Sequence, residues 1–222
     1  MVNIHCYMEQ LTELLKETFD SRLIYVGLQG SYLRGEANEN SDIDIMVVID
    51  TLSVDDLTQY RSVIQSLDNF DKSCGFICGS DDLSRWNPLE ICHVIHSTQD
   101  YFGELKNLVP TYTQEDIRNF IKLSINNLYH EICHRYIHAS SNQDINKLSA
   151  SYKSVFFILQ NLYYLQNGQF ILTKNELLSA LDERNRVILK RSIDLNSKTT
   201  HDFFESFELL LVWCQETVKG LT

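Results

Sequence analysis

The spacing of hydrophobic positions changes character about halfway along the chain. In the first part, short apolar runs alternate with amphipathic stretches. Ile4, Tyr7, Met8, Leu11, Leu14, Leu15 and Thr18 recur at steps of three and four, which predicts a helix over residues 4 to 19 that covers a sheet. Leu23-Ile24-Tyr25-Val26-Gly27-Leu28 has strand character, and Ile45-Met46-Val47-Val48-Ile49 reads as a buried strand. Ser53 and Asp56 have the spacing of a capping box, and Val54, Leu57, Ile64 and Leu67 carry a helical stripe onward. Cys74 to Cys78 predicts a third strand, Asp81 to Trp86 a short helical turn ended near Pro88, and Leu89 to His96 a fourth strand.

From Thr113 onward the periodicity is helical throughout. Thr113 and Asp116 form a candidate cap for a helix marked by Ile117, Phe120, Ile121, Leu128 and Ile132. Tyr152, Val155, Phe156, Leu159, Leu162 and Tyr163 mark a second helix. Thr173-Lys174-Asn175-Glu176 is a capping box for a third, and Phe203, Phe207, Leu210, Leu211 and Cys214 stripe the last. The polar tract Ala139 to Asn146 predicts a loop between helices. The organisation expected is an α/β domain at 1–108, a mixed sheet with flanking helices, followed by a helical bundle domain at 109–222, with the boundary around Pro110.

Composition narrows the classes of function. With 222 residues and 44% hydrophobic content the chain can fill real cores. No run approaches the roughly 18 apolar residues that a membrane helix needs, and the amino terminus does not have the basic start and apolar middle of a signal peptide, so a cytoplasmic protein without membrane association is expected. The net charge of −11 argues against a nucleic-acid partner, whose polyanionic backbone requires clustered Lys and Arg. An acidic surface favours cationic small molecules instead. The six cysteines are scattered and read as reduced thiols; Cys74 and Cys78 lack the second pair a zinc site would need.

Candidate chemistry lies between the first two strands. The first strand delivers Gly30-Ser31, where glycine lets a ligand approach the main chain and Ser31 offers a hydroxyl and an N–H suited to phosphate oxygens. Ten residues later Asp42-Ile43-Asp44 leads into the buried strand. Alternation places Asp42 and Asp44 on one face while Ile43 and Ile45 point into the core. Two adjacent carboxylates are costly unless a cation sits between them, and magnesium, which shares oxygen ligands with substrate phosphates, is the natural occupant.

The Gly-Ser turn, the ten-residue gap and Asp-x-Asp on a hydrophobic strand resemble the signature of the DNA polymerase β-type nucleotidyltransferase superfamily. The form Gly30-Ser31-x-x-Arg34-Gly35-Glu36-Ala37, then Ser41-Asp42-Ile43-Asp44, is similar to its small-molecule and minimal branches, including the aminoglycoside adenylyltransferases. The resemblance implies transfer of a nucleoside monophosphate, AMP from ATP, to a hydroxyl of a small molecule held between two domains, with an aminoglycoside-type compound as acceptor. Asp42 and Asp44 would hold one or two Mg²⁺, and Gly30 and Ser31 would hold the β- and γ-phosphates. Arg34 would pair with a phosphate or, equally, with Glu36 or Glu39, and Lys153 would reach the triphosphate. In this superfamily a third acid on a neighbouring strand serves as base. Of Asp81, Asp82, Glu90 and Asp100, the first two are explained as helix caps. Glu90, at the start of the predicted fourth strand, is the residue chosen, because a charge flanked by apolar residues is expensive there. Its segment resembles the Arg-Glu-Leu-Gln-type strand of aminoglycoside adenylyltransferases, with Cys92 and His93 departing from that pattern. The alternative leaves Glu90 as a surface acid and the third function absent or assigned to Asp100.

Two further functions stay open at this level: an antitoxin-type enzyme that adenylylates a protein partner, and a nucleotide-binding module without catalysis. His93 and His96, three apart on the predicted strand, face opposite ways. His130, His134 and His138 share one helix face at a spacing able to bind a transition metal, and read as a surface stripe.

Overall fold

A computed structural model describes residues 2–138, 145–197 and 202–221. The chain divides into two compact units, Met1–Tyr112 and Thr113–Thr222. In the first, helix α1 (Ile4–Phe19) precedes β1 (Leu23–Leu28), a single helical turn α2 (Gly30–Leu33) and β2 (Ile43–Ile49). Then follow α3 (Val54–Ser66), β3 (Ser73–Gly79), the short α4 (Ser80–Ser84), α5 (Pro88–His96) and β4 (Gln99–Phe102). The sheet has the order β3-β2-β1-β4. β1 pairs antiparallel with both β2 and β4, and β2 pairs parallel with β3 through the α3 crossover, so the sheet is mixed.

Side-chain alternation along β2 separates two cores. Ile43, Ile45, Val47 and Ile49 join Met8, Leu11 and Leu15 of α1 and Val63 of α3 on one face. Met46 and Val48 join Tyr25, Cys78 and Leu83 on the other. The strand is thus buried on both faces, which is why residues 45–49 form a continuous apolar run instead of an alternating one.

Three helix starts use the caps expected of them. Ser53 and Asp56 exchange side-chain and backbone hydrogen bonds in a capping box at α3. Thr113 and Asp116 do so ahead of α6 (Gln114–His138), and the Thr173 hydroxyl accepts from the Glu176 amide at α8 (Lys174–Ala180). With α7 (Ile145–Asn167), α9 (Glu183–Asn196) and α10 (Phe203–Gly220), these make the second unit all-helical. Residues 139–144 of the expected loop lie outside the described residues. No helix among the described residues is long and apolar enough to cross a membrane.

The expected fourth strand over Leu89 to His96 is instead helix α5. Asn87 caps it by accepting from the Leu89 amide, Pro88 occupies the first turn, and Ile91 and Cys92 are buried. A proline at the start of a nine-residue segment suits a helix, where its missing N–H costs nothing, better than a strand. The fourth strand is Gln99–Phe102, four exposed or half-buried residues at the sheet edge.

Gly75 adopts φ +128°, and a Cβ there would lie 1.9 Å from the Ile45 carbonyl oxygen of the paired strand. Gly75→Ala is therefore expected to destabilise the first unit by roughly 2 kcal/mol or more, read as a lower urea midpoint. Arg22 donates to Asp50, to the Thr51 carbonyl and to both oxygens of Asp56, a residue only 3% exposed. Its guanidinium and the Ser53 hydroxyl hold the Asp56 carboxyl well below the usual carboxylate range. A depressed carboxyl stabilises the fold above its ordinary range and ceases to do so as the pH falls through and below that range. Thermal melts should accordingly show Arg22→Met less stable than wild type at neutral pH, with the gap closing on acidification.

Candidate active site

The site forms where β1 ends beside the start of β2. The ladder continues one residue past β1, because the Gln29 amide donates to the Asp44 carbonyl at 2.9 Å. Gly30 then turns the chain with φ +70°. A Cβ on Gly30 would fall 1.7 Å from Asp44 Oδ2, so the volume that any other residue would fill at position 30 holds the Asp44 carboxylate. The Gly30-Ser31 turn and the metal-binding candidate are thus in direct contact across two strands. Asp42 immediately precedes β2 and is exposed; Asp44 is half-buried, while Ile43 and Ile45 are fully buried between them and beyond.

Electrostatics at this point favour a cation. Burial, and then the neighbouring Asp42, raise the Asp44 pKa above the ordinary value, while Arg34 lowers it. A raised carboxyl pKa means that the ionised form costs free energy at neutral pH, a cost that protonation or a bound cation relieves. Two carboxylates beside a tight glycine turn fit Mg²⁺, which is commonly held through one or two carboxylates and completes its shell with substrate phosphates and water.

Arg34 lies at the end of α2. Its Nε donates to Glu36 Oε2 at 2.9 Å, and both side chains are largely buried. Its charge also reaches His93 of α5. Burial first, then Arg34, then His96 push the His93 pKa down to about 4, so the imidazole is neutral at physiological pH. Because α5 is a helix, His93 and His96 lie on adjacent turns of one side and do not face opposite ways. His96 Nε2 hydrogen-bonds the Tyr112 hydroxyl at 3.2 Å. The influence of Arg34 on His93 was not legible in the sequence, since it depends on how α5 packs.

Glu90 does not stand on a strand beside β2. It is exposed in the first turn of α5 and accepts a 2.6 Å hydrogen bond from the Trp86 indole. Asp100 lies on β4 and accepts from the Tyr25 hydroxyl at 2.6 Å. Asp81 and Asp82 sit in the first turn of α4 and do not cap it: the cap position is Gly79, without a side-chain hydrogen bond, and Asp81 pairs with Arg85 at 3.7 Å. Lys153 is exposed on α7 of the helical unit. The rings of His130, His134 and His138 follow one another at 6.1 and 4.6 Å, and among the described residues no three His, Cys, Asp or Glu gather where they could hold a metal.

A strand, a Gly-Ser turn and a buried strand opened by paired aspartates thus come together on a mixed four-stranded sheet. Residues 8–74 match the nucleotidyltransferase domain family. Among solved structures, spectinomycin adenyltransferase AAD(9) from Enterococcus faecialis, crystallised with ATP and spectinomycin, matches 97% of this chain and 99% of its own. The TM-score is 0.57 at 15% identity, and the two share the two-domain adenyltransferase fold. A toxin-antitoxin structure with AMP-PNP aligns over 59% of this chain and 93% of its own at 23% identity, with a TM-score of 0.33. No curated protein matches the chain by sequence.

The influence of Asp42 on Asp44 is open to direct measurement. In an Asp42→Asn variant, Asp44 should titrate at lower pH than in wild type, as followed by carboxyl ¹³C NMR without divalent cations. An unchanged titration would mean that the two carboxylates do not interact.

Proposed function

We propose that the chain transfers a nucleoside monophosphate, AMP from ATP, to a hydroxyl of a small molecule, with cationic, aminoglycoside-type compounds as the acceptor class. The observation that carries this reading is the contact of the Asp44 carboxylate with Gly30, which supports a cation at the aspartates sharing oxygens with a phosphate at the turn. The fold shared with an adenyltransferase solved with ATP and spectinomycin supports it, and the net charge of −11 suits a cationic acceptor. Transfer chemistry resides in the first unit, with the functional boundary near Pro110.

In this reading the Gly30 and Ser31 amides and the Ser31 hydroxyl bind the β- and γ-phosphates, and Gly30 lets those oxygens approach the main chain. Asp42 and Asp44 would hold Mg²⁺, which would supply neutralisation of the triphosphate and of the pyrophosphate leaving group. Arg34, oriented by Glu36, adds positive charge at the base of the turn. The neutral state of His93 leaves Arg34 as the fixed cation on that side and adds no charge that would compete with Mg²⁺.

Isothermal titration of a non-hydrolysable ATP analogue tests the proposal. Wild type should bind it with Mg²⁺ and much more weakly without, and Asp42→Asn, Asp44→Asn should lose the Mg²⁺-dependent part. Absence of binding to any nucleoside triphosphate would overturn the reading.

A further inference from the structure

Nucleotidyl transfer forms a bond from the acceptor oxygen to the α-phosphorus and breaks the bond from that phosphorus to the bridging oxygen of pyrophosphate. The acceptor's hydroxyl proton must also leave. Within the sheet, a carboxylate able to take that proton, or to share a cation with Asp44, would face the same side one strand away, about 5 Å off. With the strand order β3-β2-β1-β4, only β1 and β3 qualify. β1 has no acidic residue, and the Gly30 turn takes up the space beyond its end.

On the other side Cys74 stands opposite Asp44 in the parallel β2–β3 register. The same register sets Met46 opposite Phe76 and Val48 opposite Cys78, and Val48 and Cys78 are buried in one cluster, which fixes the face that Cys74 shares with Asp44. Ser73, one residue earlier, points to the opposite face and hydrogen-bonds Tyr7 of α1. β3 reads Ser-Cys-Gly-Phe-Ile-Cys-Gly and contains no carboxylate. Cys74 is exposed, so a longer side chain has room there.

The geometry points to position 74 as the place of a third carboxylate that this chain lacks. Resting on the nucleotidyl-transfer reading above, the cation site is then built on two carboxylates alone. The acceptor's proton passes to water or to a basic group of the acceptor itself. Neither Glu90, bonded to Trp86 on a helix, nor Asp100, two strands from β2 and bonded to Tyr25, substitutes for it. Among the described residues no third ligand joins the aspartate pair. A thiol does not replace the missing oxygen, because hard cations such as Mg²⁺ and Mn²⁺ prefer oxygen donors.

Electron paramagnetic resonance of free Mn²⁺, titrated against protein with a non-hydrolysable ATP analogue, tests this without any acceptor. Cys74→Asp or Cys74→Glu should tighten Mn²⁺ binding about tenfold, because added ligand charge strengthens divalent-ion sites. Cys74→Ser and Glu90→Gln should leave it unchanged. If both acidic variants, folded by circular dichroism, bind Mn²⁺ no tighter than wild type, the inference is overturned. A marked loss in Glu90→Gln would also overturn it by assigning the third carboxylate to Glu90. If wild type and Asp44→Asn bind Mn²⁺ equally, the nucleotidyl-transfer reading itself fails and takes this inference with it.

Discussion

The carboxylate of Asp44 sits in the volume left by the missing side chain of Gly30, and the rest of the first unit holds that contact in place. It requires antiparallel pairing of β1 with β2 to continue through the Gln29–Asp44 hydrogen bond, and then a turn with positive φ. The contact constrains the turn, because any side chain at 30 would displace the carboxylate. The contact also carries a cost, since burial and Asp42 disfavour the ionised Asp44. Like charge partly withdrawn from water at one point, with ordinary packing around it, is a physical mark of a functional site.

Support for this point comes from two apolar layers. α1 and α3 cover one face of β2, and α4 together with the segment around Leu105 covers the other, so the strand that bears Asp44 is fully buried along Ile45–Ile49. Arg22, just ahead of β1, binds Asp50 and Thr51 after β2 as well as Asp56 in the cap of α3, and so ties together both ends of the connection that leads into the crossover to β3. Through that crossover the register of β3, and hence the residue opposite Asp44, is determined. An edge strand with Gly75 in close contact with the β2 backbone leaves little freedom for the register to slip.

Much of this was legible in the residues. α1, α3 and the caps at Ser53, Thr113 and Thr173 follow from spacing, because the hydrogen bonds involved are local. The Gly-Ser turn and the aspartate pair were legible because both belong to a short stretch with a strand on either side. The segment Leu89 to His96 was not. Its mostly apolar stretch, interrupted by Glu90 and His93, fits a buried strand or a helix equally by periodicity, and the start at Asn87-Pro88, which decides for a helix, has meaning only once the first turn is built. With it moved the choice of Glu90, which depended on that segment being a strand, and the relation of His93 to His96.

The sequence by itself determined the elements with local causes: helices announced by caps and stripes, a strand buried on both faces, and the two aspartates whose common face follows from alternation. The tertiary structure alone decided which residues meet across strands and between helices. That Asp44 rests against Gly30, that Cys74 stands opposite it, and that His93 lies neutral beside Arg34 are matters of register and helix placement. These are set by long-range packing, and a shift of one residue in register would exchange every one of those neighbours.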